Sequence, residues 1–463
     1  MRDTATSIVR RLQDAGFAAF LVGGCVRDTL LGRAPGDFDI ATNALPDEVE
    51  KLFRRTVAVG RQFGVMVVVE DGQQFQVATF RAESDYTDGR RPSTVAFGDP
   101  RADAQRRDFT VNGLFFDPIA DELHDWVGGE KDLRAKIIRT IGTPEERFGE
   151  DHLRMLRAVR FAAQLGFEIE PETFTAVQTL APKIKLISAE RIRDELIKLF
   201  AAPLTADTIG RADLPVGQDA QQRVPTEAPA ARGLVLLRDS GLLEHILPEL
   251  AATITCEQSP DFHPEGNVFE HLRLMLEKLP AEADESLPWT VLMHDIAKPL
   301  TAERDAETGS IHFYGHEKIG ADMAEKILER LRFPRKQIET ITACVLHHMQ
   351  FKDAPQMRKS TLRRLLLRET FPLELELHRL DCLGSHGRLE VHDFLKQQAE
   401  ELKSQPSIRP PLLMGADLIA LGMKPGEGMG RLLAELREKQ LADELTTAEA
   451  ARDWARQKIA GLS

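Results

Sequence analysis

The sequence has few cysteines and no long apolar run. No stretch approaches the roughly 18 consecutive apolar residues that a transmembrane helix needs, so we expect no membrane-spanning segment and no membrane partner. The four cysteines show no C-x-x-C spacing and lie in apolar or helical contexts, at Cys25, Cys256, Cys344 and Cys382. We therefore interpret them as reduced core residues.

Positive charge is also scarce. The chain has 60 Lys and Arg against 73 Asp and Glu, which gives a net charge of −13. This balance disfavours a nucleic-acid partner, because phosphate binding needs a basic face. Arginine is nevertheless locally dense at residues 90–91, 101–107, 154–160, 358–368 and 379. These clusters are either basic patches on an acidic body or helix-surface charges balanced by neighbouring acids.

The N-terminal segment MRDTATSIVRRLQDAGF has the pattern of a charged amphipathic helix rather than of a signal peptide. Together with the lack of a spanning segment, this pattern predicts a cytoplasmic protein. A length of 463 residues is large for a single core and predicts about two to four domains. The sequence does not indicate an oligomeric state.

The stretch from Leu21 to Ile40 combines a glycine turn with two spaced acids. The apolar run that ends at Val22 is typical of a buried strand, and Gly23 and Gly24 predict a tight turn onto a helix. Glycine there lets backbone N–H groups approach a phosphate closely. Arg27 lies in the first turn of that helix and can donate charge-assisted hydrogen bonds to phosphate oxygens. The segment therefore has the features of a phosphate-binding turn.

Asp37 and Asp39 flank Phe38 at the start of a predicted strand. At a period of two, their side chains project from the same face of the strand. Two neighbouring carboxylates repel each other unless a cation lies between them, and oxygen ligands suit Mg²⁺ bound together with substrate phosphates. This pattern is typical of phosphoryl or nucleotidyl transfer. The alternative is a surface turn in which Asp37 caps and Asp39 is solvated.

The motifs GGCVRD and GDFD are followed, in order, by RRDFTVN at 106–112, EDHLR at 150–154 and RAVRF at 157–161. This set resembles the bacterial class II tRNA nucleotidyltransferases and their relatives, the bacterial poly(A) polymerases. The resemblance is strong from residue 1 to roughly residue 200 and weaker beyond it. It implies an α+β nucleotidyltransferase head with a small mixed sheet.

The resemblance also implies roles for individual residues. Gly23, Gly24, Arg27 and Arg107 would bind the triphosphate, and Asp108 and Asn112 the ribose. Asp151 and Arg154, three apart on a helix predicted over 150–164, would read the base, and Arg157 and Arg160 would continue toward the phosphates. The alternatives are a capping role for Asp108 and an ordinary ion pair between Asp151 and Arg154. Relatives often carry Glu where this chain has Gln76, so we expect Asp37 and Asp39 to hold Mg²⁺ without a third carboxylate from that strand.

Two polar segments interrupt the predicted elements. Residues 82–105 read as a long loop, which in the resembled family helps the site to accept ATP; the alternative is a surface loop without function. Residues 203–231 are rich in Ala, Pro and Gln, which is typical of a disordered insertion within a helical neck.

A second group of candidate ligands follows residue 263. Histidines and acids occur in the order H…HD…H…HH…D, which resembles the HD superfamily of metal-dependent phosphohydrolases. The resemblance implies a site for a divalent transition metal. The predicted ligands are His271, His294, Asp295, His316, His347 or His348, and Asp381. Lys298 could contact phosphate, and the alternative is a helical domain that keeps these histidines as core residues.

The predicted fold class is α+β, with an all-α neck, an HD-type helical body and a helical tail after the head. The predicted domain boundaries are 1–140, 141–250, 251–400 and 401–463.

The leading functional hypothesis is template-independent addition of CTP and ATP to the 3′ end of tRNA, with Mg²⁺ as cofactor. Poly(A) synthesis on another RNA 3′ end, or addition of only A or only CC, uses the same chemistry. The end QKIAGLS lacks the basic extension expected of many poly(A) polymerases, which favours tRNA. A second class of hypothesis makes the HD-type body the main, phosphohydrolase activity, and a third is a non-catalytic RNA-binding protein.

Overall fold

The computed structural model describes residues 1–81, 98–201, 228–259, 263–404 and 410–460. The chain divides into two compact units. Unit 1 comprises residues 1–252, 279–288 and 329–333, and unit 2 comprises residues 253–278, 289–328 and 334–463. Residues 82–97 of the predicted loop and residues 203–227 of the predicted insertion lie outside the described ranges.

The centre of unit 1 is a seven-stranded sheet with the strand order β3-β4-β5-β2-β1-β6-β7. Its strands are β1 (Ala19–Val22), β2 (Asp39–Thr42), β3 (Thr56–Gly60), β4 (Val65–Glu70), β5 (Gln73–Thr79), β6 (Phe115–Asp117) and β7 (Glu122–His124). The β2–β5 pair is parallel and the others are antiparallel, which makes the sheet mixed. Two short strands, β8 (Ile137–Ile138) and β9 (Glu168–Ile169), form a separate parallel pair.

Apolar and aromatic side chains pack next to the strands that carry the predicted acids. Val22 on β1 and Ala41 on β2 share a buried cluster with Phe80, Ala104 and Phe115. The Phe80 and Phe115 ring centroids are 6.4 Å apart. Because both strands are fixed by this cluster, the ends of β1 and β2 hold the glycine turn and the acids in a defined position.

Helices flank the sheet and continue beyond it. α1 buries Ile8, Val9 and Leu12, which recur at helical spacing. The helices from the start of the chain to residue 252 are α1 (Arg2–Asp14), α2 (Gly24–Leu30), α3 (Pro46–Leu52), α4 (Pro100–Gln105), α5 (Gly129–Ala135), α6 (Pro144–Glu150), α7 (Leu153–Leu165), α8 (Pro171–Leu180), α9 (Ala189–Phe200), α10 (Pro229–Asp239), α11 (Leu242–Ile246) and α12 (Pro248–Ala251).

Three boundaries differ from the sequence prediction. The helix predicted over 150–164 is α7, which begins three residues later at Leu153, because a separate helix, α6, ends at Glu150 and Asp151 is extended, with φ −150° and ψ 104°. The described end of the predicted loop contains α4, where Asp99 accepts a hydrogen bond from the Ala102 N–H as an N-cap. α10 begins at Pro229, inside the predicted insertion, because proline suits the first turn of a helix.

Unit 2 is mainly helical. Its hairpin pairs β10 (Ala302–Arg304) with β11 (Ile311–Phe313). The remaining helices are α13 (Val268–Glu277), α14 (Leu287–His294), α15 (Lys298–Thr301), α16 (His316–Arg330), α17 (Arg335–His347), α18 (Lys359–Leu366), α19 (Phe371–Gly384), α20 (Glu390–Lys403), α21 (Gly415–Ala420), α22 (Glu427–Leu441) and α23 (Ala448–Ala460). Among the described residues, no helix has the length and apolar character needed to cross a membrane.

The predicted α+β class, with a small mixed sheet followed by helices, is confirmed. The four-domain division remains a prediction, while the contact pattern places one boundary between residues 252 and 253.

Candidate active site and metal centre

The glycine turn lies between β1 and α2, as the sequence predicts. Gly23 has φ +74°, a conformation that side-chain-bearing residues rarely adopt. A Cβ atom on Gly23 would lie 2.8 Å from Nη1 of Arg107. Glycine therefore suits the backbone turn and leaves room for the close approach of the Arg107 guanidinium.

The two acids lie at the start of β2. Asp39 is opposite Val22 of β1 and is half-buried, whereas Asp37 precedes the strand and is exposed. Burial, and then the neighbouring charge of Asp37, raise the pKa of Asp39 to about 6, although the positive charge of Arg107 lowers it in part. A divalent cation between the carboxylates would relieve this repulsion, so the residues present fit the predicted metal.

Gln76 lies beside the acids in the sheet register. Ile40 of β2 pairs with Val77 of β5, so the residues before them, Asp39 and Gln76, are also neighbours. Gln76 is exposed. The position nearest to Asp39 on β5 therefore offers a neutral amide rather than a third carboxylate.

Arg107 is held beside the turn by Asp103. Its Nη2 lies 3.1 Å from Oδ2 of Asp103, and its Nη1 donates to the Asn112 carbonyl over 3.3 Å. Asp103 is 1% exposed and also binds Arg106. A buried carboxylate thus fixes the Arg107 guanidinium, which is the geometry of a preorganised anion-binding group.

Asp108, Asn112 and Arg27 form a connected buried group. Arg27 Nη1 donates to Asn112 Oδ1 over 2.6 Å, and Asn112 Nδ2 donates to Asp108 Oδ1 over 3.1 Å. Asp108 also binds Arg157 through Nε at 2.8 Å and Nη2 at 2.6 Å. Burial alone would raise the pKa of Asp108, but Arg157 and Asn112 outweigh burial and lower it to about 2. Asp108 is therefore ionised and ordered, and Phe109, not Asp108, is the N-cap of the following 3-10 turn.

Asp151 and Arg154 do not form the ion pair that the alternative interpretation required. Asp151 lies between α6 and α7 and accepts a hydrogen bond from the Leu153 N–H, and it binds both terminal nitrogens of Arg191 at 3.2 and 2.6 Å. Arg154 instead binds Glu150 and the Arg147 carbonyl. Each predicted base-reading side chain is held by a separate partner. The spacing between the two side chains therefore depends on three helices, α6, α7 and α9, rather than on one.

Arg157 and Arg160 lie on α7 against Phe161 and Glu195. Their Cζ atoms are 5.2 and 4.0 Å from the centroid of the Phe161 ring. Arg160 Nε lies 2.5 Å from Glu195 Oε2, and both side chains are less than a tenth exposed. Arg160 therefore connects α7 to α9, and its predicted contact with nucleotide phosphate remains a prediction.

Sequence reasoning missed the roles of Arg191 and Glu195 on α9. The two residues are one helical turn apart, and they bind Asp151 and the Arg157–Arg160 pair respectively. One feature of the sequence could have identified Glu195: it is a charged residue on the otherwise apolar, buried face of an amphipathic helix.

Unit 2 brings most of the second candidate set together. We call His271, His294, Asp295, His316, His348 and Asp381 the body cluster. Three donor groups have ligand atoms within 4.8 Å of one another: His263, Glu265 and His271; His271, His294 and Asp295; and Asp295, His316 and His348. Imidazole nitrogens with carboxylate oxygens suit a first-row divalent metal, so these residues fit the predicted centre.

Three histidines of the body cluster have the same local geometry. The Nδ1 atoms of His294, His316 and His348 lie 2.8, 2.7 and 2.6 Å from the carbonyl oxygen three residues earlier in the chain. Assigning the proton to Nδ1 leaves each Nε2 with its lone pair free for a metal. The Nε2 atoms of His316 and His348 are only 3.1 Å apart, so two lone pairs converge on one point.

Asp295 is the central carboxylate. Its Oδ2 lies 2.7 Å from Lys298 Nζ and 3.2 Å from His294 Nε2, and its Oδ1 lies 3.4 Å from His316 Nε2. Burial raises its pKa, but the charges of His294 and Lys298 and the hydrogen bonds hold the pKa well below the usual range. Asp295 is thus ionised, as a metal ligand must be.

His347 is a correction to the predicted ligand set. α17 ends at His347 and continues as a 3-10 turn from His348, and adjacent residues at such a helix end point in different directions. His348 Nε2 lies 3.9 Å from Asp295 Oδ1, whereas His347 Nδ1 lies 3.4 Å from Glu374 Oε1. Of the two histidines that the sequence left open, the structure places His348 in the body cluster.

The family comparisons agree with these two regions. Residues 19–139 match the family described as the Poly A polymerase head domain. Residues 166–212 match a probable RNA- and SrmB-binding site of polymerase A, and residues 266–383 match the HD domain. The predicted resemblance is confirmed for both the head and the HD region.

Curated relatives match the N-terminal part of the chain. A CCA-adding enzyme of Staphylococcus aureus strain MRSA252 is 49% identical over 199 residues, which is 43% of this chain and 50% of the relative. The enzyme of S. aureus strain Newman is 48% identical over the same shares. The chain spans about half the length of the curated relatives it matches.

Solved structures extend the likeness to the full chain. The Bacillus stearothermophilus CCA-adding enzyme in complex with CTP has a TM-score of 0.68 and 26% identity, and the match covers 99% of this chain and 97% of that one. The Thermotoga maritima CCA-adding enzyme complexed with tRNA shares the fold, with a TM-score of 0.53, 19% identity and coverage of 100% and 95%. This protein therefore has the fold of the CCA-adding enzymes, with one region similar to the Poly A polymerase head domain and another similar to the HD domain.

Proposed function

We propose that this protein adds CTP and ATP to the 3′ end of tRNA without a nucleic-acid template. One observation carries the proposal: a single unit of the fold contains the acid pair Asp37 and Asp39, the Arg107–Asp108–Asn112 group and the base-reading candidates Asp151 and Arg154. Curated relatives that match the N-terminal part of the chain are CCA-adding enzymes, and a structural neighbour at 26% identity is a CCA-adding enzyme solved with CTP.

The acid pair supplies the ligands for catalysis. Nucleotidyltransferases of this kind need a divalent metal, and we infer Mg²⁺ here because both ligands are carboxylates and the substrate carries phosphates. When bound, Mg²⁺ lowers the pKa of the attacking 3′-hydroxyl and neutralises developing phosphate charge. Asp37 and Asp39 both bind as carboxylates, which requires that Asp39 be ionised.

The remaining residues bind and orient the nucleotide. Arg107, fixed by Asp103, faces the glycine turn and binds the triphosphate, with Gly23, Gly24 and Arg27 at the same turn. Asp108 and Asn112 form a buried polar pair for the ribose hydroxyls.

Asp151 and Arg154 select the base. Asp151 offers acceptors and Arg154 offers donors, which together can replace the Watson–Crick partner of cytosine or adenine. Arg191 and Glu150 hold the two side chains in place, so base selection requires little ordering when the nucleotide binds.

Nucleotide incorporation on three RNAs tests this proposal. The substrates are a tRNA transcript that ends before CCA, one that ends after CC, and an unrelated RNA. We expect three additions on the first, one on the second and none on the third, and none at all with the D37A/D39A variant. Long adenosine tails on every RNA would identify a poly(A) polymerase instead. The cytoplasmic location predicted from the sequence remains a prediction.

We further propose a second activity, hydrolysis of a phosphoester at the body cluster. It is supported by the three donor groups of unit 2 and by Lys298, which lies 2.7 Å from Asp295 and can contact a substrate phosphate. A divalent metal bound there would polarise a phosphate and activate water. His271 and Asp381 lie 3.1 Å apart at one end of the cluster, and His316 and His348 at the other.

Release of phosphate from p-nitrophenyl phosphate and from nucleotides in Mn²⁺, Co²⁺ or Ni²⁺ tests the second activity. We expect metal-dependent hydrolysis that Asp295→Asn removes and D37A/D39A leaves intact. Hydrolysis that survives Asp295→Asn would contradict it.

A further inference from the structure

His271 is oriented differently from the other histidines of the body cluster. His294, His316 and His348 each place Nδ1 against a backbone carbonyl three residues earlier. The Nδ1 atom of His271 instead lies 2.7 Å from Oε1 of Glu265, and its Nε2 lies 3.1 Å from Oδ1 of Asp381. His271 thus lies between two carboxylates, and its side chain is fully buried. Both contacts are close charge contacts, because neither ring nitrogen has a hydrogen-bond partner of good geometry among the described residues.

Glu265 is built into this position. It lies two residues before Asn267, the N-cap of α13, and its side chain is only 4% exposed. Its Oε1 also accepts a hydrogen bond from Nδ1 of His263 over 2.8 Å. Its Oε2 is buried and has no hydrogen-bond partner among the described residues. A buried carboxylate directed only at two imidazoles is costly to keep, which is typical of a group with a function.

The net charge of the cluster gives a reason for burying Glu265 beside it. With neutral histidines, the three carboxylates Asp295, Asp381 and Glu265 together with the Lys298 ammonium carry a net charge of −2. A divalent cation balances that charge. Without Glu265, the same set would carry −1 and would bind a divalent ion less well.

We propose that Glu265 is the positioning residue of the metal centre: its charge, close to Nδ1 of His271, favours a proton on that nitrogen, leaves Nε2 facing Asp381 for the metal, and increases the affinity for the metal. His263 fixes Glu265 through the shared Oε1 atom. Both residues precede the span 266–383 that matches the HD domain. A carboxylate behind a metal-ligating histidine makes the imidazole more basic and fixes its tautomer. The inference rests on the proposed metal centre.

Metal titration of the chelator-treated full chain tests this role. The variants are Glu265→Gln, which keeps an oxygen for His271 and removes the charge, and Glu265→Ala, which removes both. Glu374→Gln is the matched control, because Glu374 is equally buried and faces His347, outside the cluster. The readouts are the Kd and stoichiometry for Co²⁺ and Mn²⁺ and the visible absorption spectrum of bound Co²⁺.

We expect Glu265→Ala to weaken Co²⁺ binding about 10- to 100-fold, the usual effect of losing such a partner, with a smaller loss for Glu265→Gln. The stoichiometry should stay that of the unaltered protein, the Co²⁺ spectrum should shift, and Glu374→Gln should bind as the unaltered protein does. Nucleotide addition by the head should remain unchanged, which checks folding.

Three results would overturn the inference. Equal affinity and equal spectra in all variants would show that Glu265 does not position His271. Loss of one bound ion, with full affinity for the others, would make Glu265 a ligand of a separate ion. If the unaltered protein bound no metal, the metal centre itself would fail, which is distinguishable from failure of the Glu265 role.

Discussion

The two candidate sites shift the pKa of a buried carboxylate in opposite directions. In unit 1, Asp39 is half-buried beside Asp37, and burial with like charge raises its pKa to about 6. In unit 2, Asp295 is buried more completely, yet histidines and Lys298 hold its pKa well below the usual range. The head thus leaves its acids short of positive charge, whereas in the body Lys298 and the neighbouring imidazoles offset the cost of burying the Asp295 charge.

This difference indicates how each site works. An acid pair that lacks a compensating cation is stabilised when metal and triphosphate arrive together, so binding energy is directed to the reacting groups. In the body cluster, Lys298 and the surrounding histidine rings hold Asp295 in place before substrate arrives. The head offers two carboxylates as ligands and the body cluster offers more donor groups, so we expect the head to bind its metal weakly without nucleotide phosphates and the body cluster to bind its metal tightly.

The largest expected effect is a separation of the two activities. Asp39→Asn should lower kcat for nucleotide addition on the order of 10³-fold, the scale of losing a main electrostatic contribution to the transition state. Asp39→Asn should leave Co²⁺ binding by unit 2 unchanged. Asp295→Asn should weaken Co²⁺ binding and leave nucleotide addition unchanged. Incorporation of labelled ATP and Co²⁺ titration measure the two effects. A single variant that abolished both activities while folded would break the comparison.

Base selection should be the next most sensitive property. Asp151→Ala or Arg154→Ala should reduce the preference for CTP and ATP over UTP and GTP by about 10- to 100-fold, since hydrogen bonds to charged groups contribute roughly 1.5–3 kcal/mol. Arg191→Ala should give a smaller loss, because it releases Asp151 without removing it. The ratios of kcat/KM for the four nucleotides measure this. Unchanged ratios in Arg154→Ala, with a raised KM for all four, would contradict a base-reading role.

The burial of Asp39 and its repulsion by Asp37 should also lower the free energy of unfolding. Because the pKa of Asp39 is about 6 in the native state and 3.8 for the free group, the native carboxyl binds a proton more readily than the unfolded one. The destabilisation is therefore fully present above about pH 6 and disappears as the pH falls toward 3.8. Asp39→Asn should raise the free energy of unfolding by roughly 1–2 kcal/mol at about pH 7.5, discounted for partial exposure.

Thermal denaturation of Asp39→Asn at about pH 7.5 and about pH 5.5 measures this gain, which should be smaller at the lower pH. Asp108→Asn is the matched comparison, since Arg157 lowers the pKa of Asp108 to about 2 and its loss should destabilise the protein. Equal Tm changes for the two variants would contradict the electrostatic difference between these carboxylates.

The smallest effect concerns Gln76. Gln76→Glu would place a third negative charge next to Asp39 in the sheet register. Like charge raises the pKa of Asp39 further, so the acidic limb of the pH profile of kcat/KM should move to higher pH. An unmoved limb would indicate that the Gln76 side chain does not act on Asp39.

The local features of the head were predictable from the sequence. The strand, the glycine turn and the acids at the start of β2 depend on neighbouring residues and on alternation with period two. The division between α6 and α7 was not predictable, because Glu150 and Asp151 both suit the first turn of a helix. Only the extended backbone of Asp151 shows where α6 ends and α7 can begin.

Contacts between distant residues were the least predictable. Asp151 and Arg191 are 40 residues apart in sequence, and no local pattern shows that they pair. His347 and His348 are adjacent at a helix end, so the side that each faces depends on the exact helix phase. Glu265 lies in a turn, where periodicity gives no direction for the side chain.

The sequence of the RNA 3′ end after reaction tests the central claim most directly. A tRNA transcript lacking CCA would be incubated with the full chain and all four nucleotides, and its 3′ ends would be sequenced. We predict that the products end in CCA with no further residue, and that Asp39→Asn leaves the transcript unextended. Heterogeneous or adenosine-only tails, or the same products with Asp39→Asn, would contradict CCA addition at the acid pair.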